Sequence, residues 1–218
     1  ELPALSVDVT PTTVVLGAVV FYFARQLLAV EQVRSALAET VYPKLADAGT
    51  TEALTILPLF DAVTTDQALQ GGSGVAYLVK TDHTTILMDA GYNPENLTPS
   101  PLEQNMARLG ITPADFDRVV ISHKHPDHTG GVSWWQQDTF SFGIDQADLS
   151  GRSIYVPEPM TYPNVSPQVV EGPQILAPGV ATIGAIPFVE PFPVSLFRPV
   201  GEEQTLAIHV AGRGVVLI

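Results

Sequence analysis

Ser122-His123-Lys124-His125-Pro126-Asp127-His128-Thr129-Gly130-Gly131 packs three of the chain's five histidines and one aspartate into six positions. Neutral imidazole suits zinc and iron, and an adjacent carboxylate adds charge compensation. The run follows Arg118-Val119-Val120-Ile121, whose β-branched residues predict a buried strand. A chain leaving that strand extended points side chains 123 and 125 to the same side. Pro126 keeps it from closing early into helix, Asp127 and His128 turn in from the next step, and Gly130 and Gly131 permit close backbone approach. Clustering so many imidazoles without a ligand would waste desolvation energy, so His123, His125, Asp127 and His128 are expected to converge on metal.

Working outward, short apolar runs predict strands at Leu54–Leu57, Gly74–Val79 and Thr84–Met88, with Lys80-Thr81-Asp82-His83 as a hairpin turn. Ser100, Pro101 and Glu103 form a helix-start signature with a capping box, and Gly110 supplies the stop. Thr112-Pro113-Ala114-Asp115 repeats the signature for a short turn. Beyond the histidines, strands are expected at Ser153–Val156, Val180–Ile186, Gln204–Val210 and Val215–Ile218, the last two joined by a turn at Gly212-Arg213-Gly214. The stretches 158–178 and 187–199 read as long loops of the kind that shape pockets.

His123-x-His125-x-Asp127-His128 resembles the signature of the metallo-β-lactamase fold superfamily, and Met88-Asp89-Ala90-Gly91 resembles that superfamily's first motif. The layout of Ile154-Tyr155-Val156-Pro157, Ala177-Pro178-Gly179-Val180 and Glu203-Gln204-Thr205-Leu206 is similar to the branch of 7,8-dihydropterin-6-methyl-4-(β-ribofuranosyl)aminobenzene 5′-phosphate synthase-like proteins. The resemblance implies an α+β fold, an αββα sandwich whose C-terminal part lies beyond Ile218. It implies a metal-dependent hydrolase or transferase in which a metal-held hydroxide attacks. His123 and His125 would hold the first metal, and Asp127 and His128 the second. Asp127 would also orient the nucleophile and accept its proton, while Asp89 would orient a ligand from behind or simply cap its strand end. Zinc is the default ion, two in the longer protein, with manganese and iron as alternatives. The competing expectation is a catalytically degenerate metal-binding or scaffold subunit, docked to a membrane or protein complex through residues 14–47.

Smaller expectations attach to single residues. Lys124 points outward or meets an anionic substrate, His83 is a solvated turn residue, and His209 is a satisfied structural histidine on its strand. Trp134 and Trp135 belong to the core or line the pocket.

The 218 residues suit one substantial α/β domain with an extension, divided here into 1–50 and 51–218. A net charge of −13 argues against a nucleic-acid partner and leaves a small-molecule substrate, an anionic one included if metal reverses the local field. The absence of cysteine excludes disulfides, thiolate metal sites and cysteine nucleophiles within these residues. Phe23, Leu27, Val30, Leu37 and Val41 predict a helix over 21–47, with Pro43 shortening its last turn and Gly49 as its cap. Thr13–Val30 is apolar but short of the ~20 residues of a spanning helix, and it carries Arg25. It also lacks the basic start of a signal peptide, with Asp8 in that place. The apolar stripe is expected to be buried against its own domain, a second copy or a membrane interface. A cytoplasmic location is expected, with membrane-associated or exported forms left open.

Overall fold

The computed structural model describes residues 11–41, 43–45 and 47–218. Asp8 and the start of the 1–50 extension lie outside them, as do Tyr42 and Ala46 of the helix expected over 21–47. In chain order the elements are α1 (Pro11–Glu39), β1 (Leu54–Phe60), β2 (Ala76–Thr81), β3 (Thr85–Met88), α2 (Pro101–Leu109), β4 (Arg118–Val120), α3 (Val132–Gln136), β5 (Ser153–Val156), β6 (Gln168–Val169), β7 (Gln174–Ala177), β8 (Val180–Thr182), β9 (Ile186–Val189), β10 (Val200–Glu203), β11 (Leu206–Val210) and β12 (Gly214–Leu217). The chain forms two compact units, Glu1–Val41 with Pro187–Gly201, and Tyr42–Ile186 with Glu202–Ile218.

In the larger unit, β1, β2 and β3 pair antiparallel, and β3, β4, β5 and β6 run parallel. A second, antiparallel sheet has the order β12-β11-β8-β7. Period-two alternation divides the first sheet's side chains between two cores. Leu78, Leu87, Val119 and Ile154 pack with Leu102 and Met106 of α2. Val79, Ile86, Met88, Val120 and Tyr155 pack against Leu176, Val180, Leu206 and Ile208 of the second sheet. This gives a helical layer and two facing sheets; among the described residues of this unit, no helix covers Val215 and Leu217 on β12, which are 62% and 65% exposed. The parallel pairing brings the carboxyl ends of β3, β4 and β5 to one sheet edge, the edge where ligands bind in such sheets.

The start of α2 is as expected. Ser100 Oγ accepts from Glu103 N, the Glu103 carboxylate accepts from Ser100 N, and Gly110 closes the helix at φ 68°. Ser100 also donates to Phe142 O. The variant Ser100→Ala loses the cap and this buried bond, and it should cost about 1–2 kcal/mol, read as a lower urea midpoint at unchanged slope. The buried Asn105 on the same helix donates to Leu59 O and Gln70 O and accepts from Gln70 N, which fixes the loop after β1.

Several expectations are corrected. The helix expected over 21–47 runs from Pro11 to Glu39; proline is tolerated in a first turn, and Pro43 could not be accommodated in a helix interior. Gly49, at φ 74°, is therefore not its cap. The strand expected over Val180–Ile186 is broken after Thr182, where Gly184 takes φ 87° and Ala185 N donates to Val170 O instead. The strand expected from Gln204 begins at Leu206, because Gln204 turns into the core. The apolar stripe of the N-terminal helix is not buried within the chain: Phe21, Phe23, Leu27, Leu28 and Val30 are exposed.

Candidate metal centre

Asp89 follows β3 with a left-handed backbone (φ 63°) and its side chain buried. Its backbone N donates to Val120 O, which sets it beside the end of β4. Its carboxylate accepts from Ser122 N and Ser122 Oγ, each at 2.7 Å, and faces His128 Nδ1 at 2.7 Å. A carboxylate at that nitrogen keeps the proton on Nδ1, so Nε2 of His128 retains its lone pair. Asp89 therefore fixes the orientation of the His128 ring.

His123 and His125 lie on the same side, as the extended spacing requires. His123 Nε2 is 3.0 Å from His125 Nδ1, and the two rings stand edge to face at 4.5 Å. The His128 ring lies 3.9 Å from that of His123. Nδ1 of His123 faces Ser122 Oγ at 3.0 Å, which leaves Nε2 as the inward nitrogen. Asp127 is half-buried, with Oδ2 4.0 Å from His128 Nε2.

The loop is held by backbone. His128 N and Thr129 N both donate to His125 O, Ala90 N to His128 O, and Gly130 N to Gly91 O. Gly74 lies so near that a Cβ there would stand 2.0 Å from Asp127 O. From the junction of β10 and β11, Glu203 bridges His123 and Gln204 N donates to Ser122 O at 2.8 Å. The buried Gln204 amide donates to Ile121 O and Tyr155 O and accepts from Thr182 Oγ1, so it ties β4, β5 and β8 together beneath the loop. Sequence reasoning gave no positioning role to Ser122 or Gln204. A serine preceding the first histidine was the only local signal, and Gln204 lies 83 residues from the carbonyl of Ile121.

Burial, then the neighbouring His128, pushes His123 down to about 4, so its imidazole is neutral at pH 7. Burial also pulls His128 down, but its hydrogen bond to Asp89 and the charges of Asp89 and Asp127 outweigh this and raise it.

The donor chemistry fits a divalent ion. Two ligand nitrogens on a tetrahedral zinc lie about 3.3 Å apart, close to the 3.0 Å between His123 Nε2 and His125 Nδ1. Among the described residues no group of three or more His, Asp or Glu side chains is arranged to hold a metal ion as it stands. The pair His123–His125 is brought together, whereas Asp127 and His128 face each other at longer range.

Lys124 neither reaches solvent nor joins the imidazoles. It alternates to the other side of the chain, is nearly buried, and pairs with Asp138. His83 is exposed in its turn as expected; His209 is also exposed, so on β11 only its backbone is tied into structure, through Gly179 O and Thr51 N. Trp134 and Trp135 are half-buried, and Trp134 Nε1 donates to Gly143 O. A cavity of about 360 Å³ lined by Phe60, Ser73, Tyr92, Asn93, Glu95 and Leu97 adjoins the loop, since Asn93 O lies 3.5 Å from where a Gly131 Cβ would stand. A larger one, about 570 Å³, opens at the opposite sheet edge beside His83, Thr85 and Asp117.

Residues 69–140 match the family described as the Metallo-beta-lactamase superfamily. The chain is 33% identical over 86 residues to Probable metallo-hydrolase YqjP of Bacillus subtilis (strain 168), covering 39% of this chain and 24% of that protein. It is 43% identical over 53 residues to Transcription termination factor FttA of Cenarchaeum symbiosum (strain A), covering 24% of this chain and 8% of that one. The chain thus spans a quarter or less of these curated relatives. A solved quorum-quenching N-acyl homoserine lactone lactonase aligns at 22% identity with a TM-score of 0.45, over 77% of this chain and 72% of that one. The imidazole cluster lies within the segment, residues 69–140, that matches the Metallo-beta-lactamase superfamily model.

Proposed function

We propose that the protein is a metal-dependent hydrolase of small-molecule substrates, with His123, His125, Asp127 and His128 as the metal-binding set. The observation that carries this reading is the convergence of His123 Nε2 and His125 Nδ1 beside a His128 whose tautomer is fixed by Asp89. A divalent ion bound there supplies water acidic enough to attack an electrophilic centre at neutral pH. The chain's own residues do the rest. Asp127 Oδ2 faces the site, orients that water and takes its proton, while Asp89 and Ser122 keep His128 and His123 in the ligating tautomer. The adjoining cavity has Phe60, Tyr92 and Leu97 in its lining, with Glu95 and without lysine or arginine, which favours a substrate with an apolar part over a polyanion. Net charge −13 supports the same choice against nucleic acid. Zinc is the ion the three-imidazole, one-carboxylate donor set suits best. The finer assignment to the dihydropterin synthase-like branch rests on the β5, β7–β8 and β10–β11 sequence pattern.

A second reading, a degenerate scaffold subunit, draws on one observation: no three donors are assembled as they stand among the described residues. The two readings separate in one experiment. The protein is stripped with chelator, reloaded with zinc, manganese or iron, and assayed on lactone, carboxylic ester and phosphoester panels. Hydrolysis of one class that chelator removes and metal restores is the expected result. Stoichiometric metal without turnover, or no retained metal, establishes the scaffold reading.

A further inference from the structure

The first twenty residues of α1, Pro11–Val30, contain one charged side chain, Arg25; charge returns at Glu31, Arg34 and Glu39. Ten large apolar residues between Val14 and Val30 are 44% to 71% exposed. They do not form one stripe. At 100° per residue, the row Val14, Phe21, Leu28 and the row Leu16, Val20, Phe23, Leu27 are roughly 130° apart around the helix. The remaining side carries Ala18, Tyr22, Arg25 and Ala29, and there the unit's other segment, 187–201, is seated. Tyr22 meets Phe192 edge to face at 6.1 Å and Ser195 Oγ at 3.3 Å, and Arg25 donates to Leu196 O at 2.9 Å. That segment adds Phe192, Leu196 and Phe197, which are themselves exposed.

A groove on a protein partner covers one row of such a helix, whereas lipid covers all of it. Contrary to the expectation that 13–30 falls short of a span, the helix Pro11–Glu39 is long and apolar enough to cross a membrane by length and composition. Its one cation sits near the polar end of the apolar stretch and is already satisfied by a carbonyl, the arrangement a headgroup boundary accepts. We infer that α1 inserts into a lipid bilayer through its apolar stretch Pro11–Val30, with Arg25 reaching toward the headgroup boundary at the end where Phe192 and Phe197 are exposed. This inference is independent of the hydrolase reading.

The test is flotation of the full chain with phosphatidylcholine–phosphatidylglycerol vesicles after removal of mild detergent. The intact chain is expected to float. The variant Leu16→Glu/Val20→Glu/Phe23→Glu alters only exposed positions and should partition on the order of a hundredfold less, given the cost of charge in hydrocarbon. Its near-ultraviolet dichroism should match the parent and show that the fold is intact. The pair Phe192→Ser/Phe197→Ser should weaken partitioning without abolishing it. The inference is overturned if the intact chain stays at the bottom as a monomer or as an assembly of copies, or if the glutamate variant floats equally. It is equally overturned if chain isolated from producing cells begins after Val30, since the helix would then be a cleaved leader.

Discussion

Replacing His123 and His125 together by alanine should leave the purified protein with less than about a tenth of the metal that the parent retains through dialysis. Each imidazole presents one lone pair to the shared point between His123 Nε2 and His125 Nδ1, 3.0 Å apart. The double variant removes both and leaves Asp127 and His128, 4.0 Å apart, as an incomplete set. The fold should survive, because both side chains sit in a loop whose hydrogen bonds are carried by backbone and by Asp89. Thermal melting of the double variant should therefore match that of the chelated parent. Asp89→Asn makes the complementary case. It keeps every ligand but weakens the acceptor that holds His128 Nδ1–H, so metal affinity should fall 10- to 100-fold rather than vanish. Elemental analysis with chelator competition reads both effects, and unchanged metal content in the double variant would remove these residues from the site.

The second large effect is expected at Gly130, where alanine should destabilise the fold by more than about 3 kcal/mol and displace the histidine loop. Two costs add there. The backbone stands at φ 90°, where an L side chain is strained, and a Cβ would lie 1.9 Å from Ser141 O. The oxygen belongs to backbone held by Ser141 N donating to Thr129 O, so it cannot swing aside as a side-chain tip would. Gly110→Ala separates the two costs. Its φ is 68° and nothing lies within 4 Å of the added carbon, so it should show the conformational cost alone, about 1–2 kcal/mol. Urea unfolding of both variants gives the contact contribution by difference, and equal losses would show that the close approach of residues 130 and 141 carries no weight.

The features legible from sequence alone are those whose causes lie within about ten residues of one another. The α2 cap depends on Ser100, Glu103 and Gly110, and the buried β4 run on consecutive β-branched residues. The shared side of His123 and His125 follows from the pleat of an extended chain, and the opposite side of Lys124 from the same rule. The tertiary structure decided what those side chains meet. That Asp89 fixes the His128 tautomer depends on parallel pairing of β3 with β4, and that Gln204 braces the loop depends on a residue between β10 and β11, 83 positions from Ile121. Lys124 finds Asp138 because α3 ends where it does. Apolar period likewise marked a helix near the N-terminus, yet its Pro11 start and its exposure on two rows could not be read from period alone. Periodicity records the local preference of a segment, while burial is set by which distant surfaces arrive to cover it.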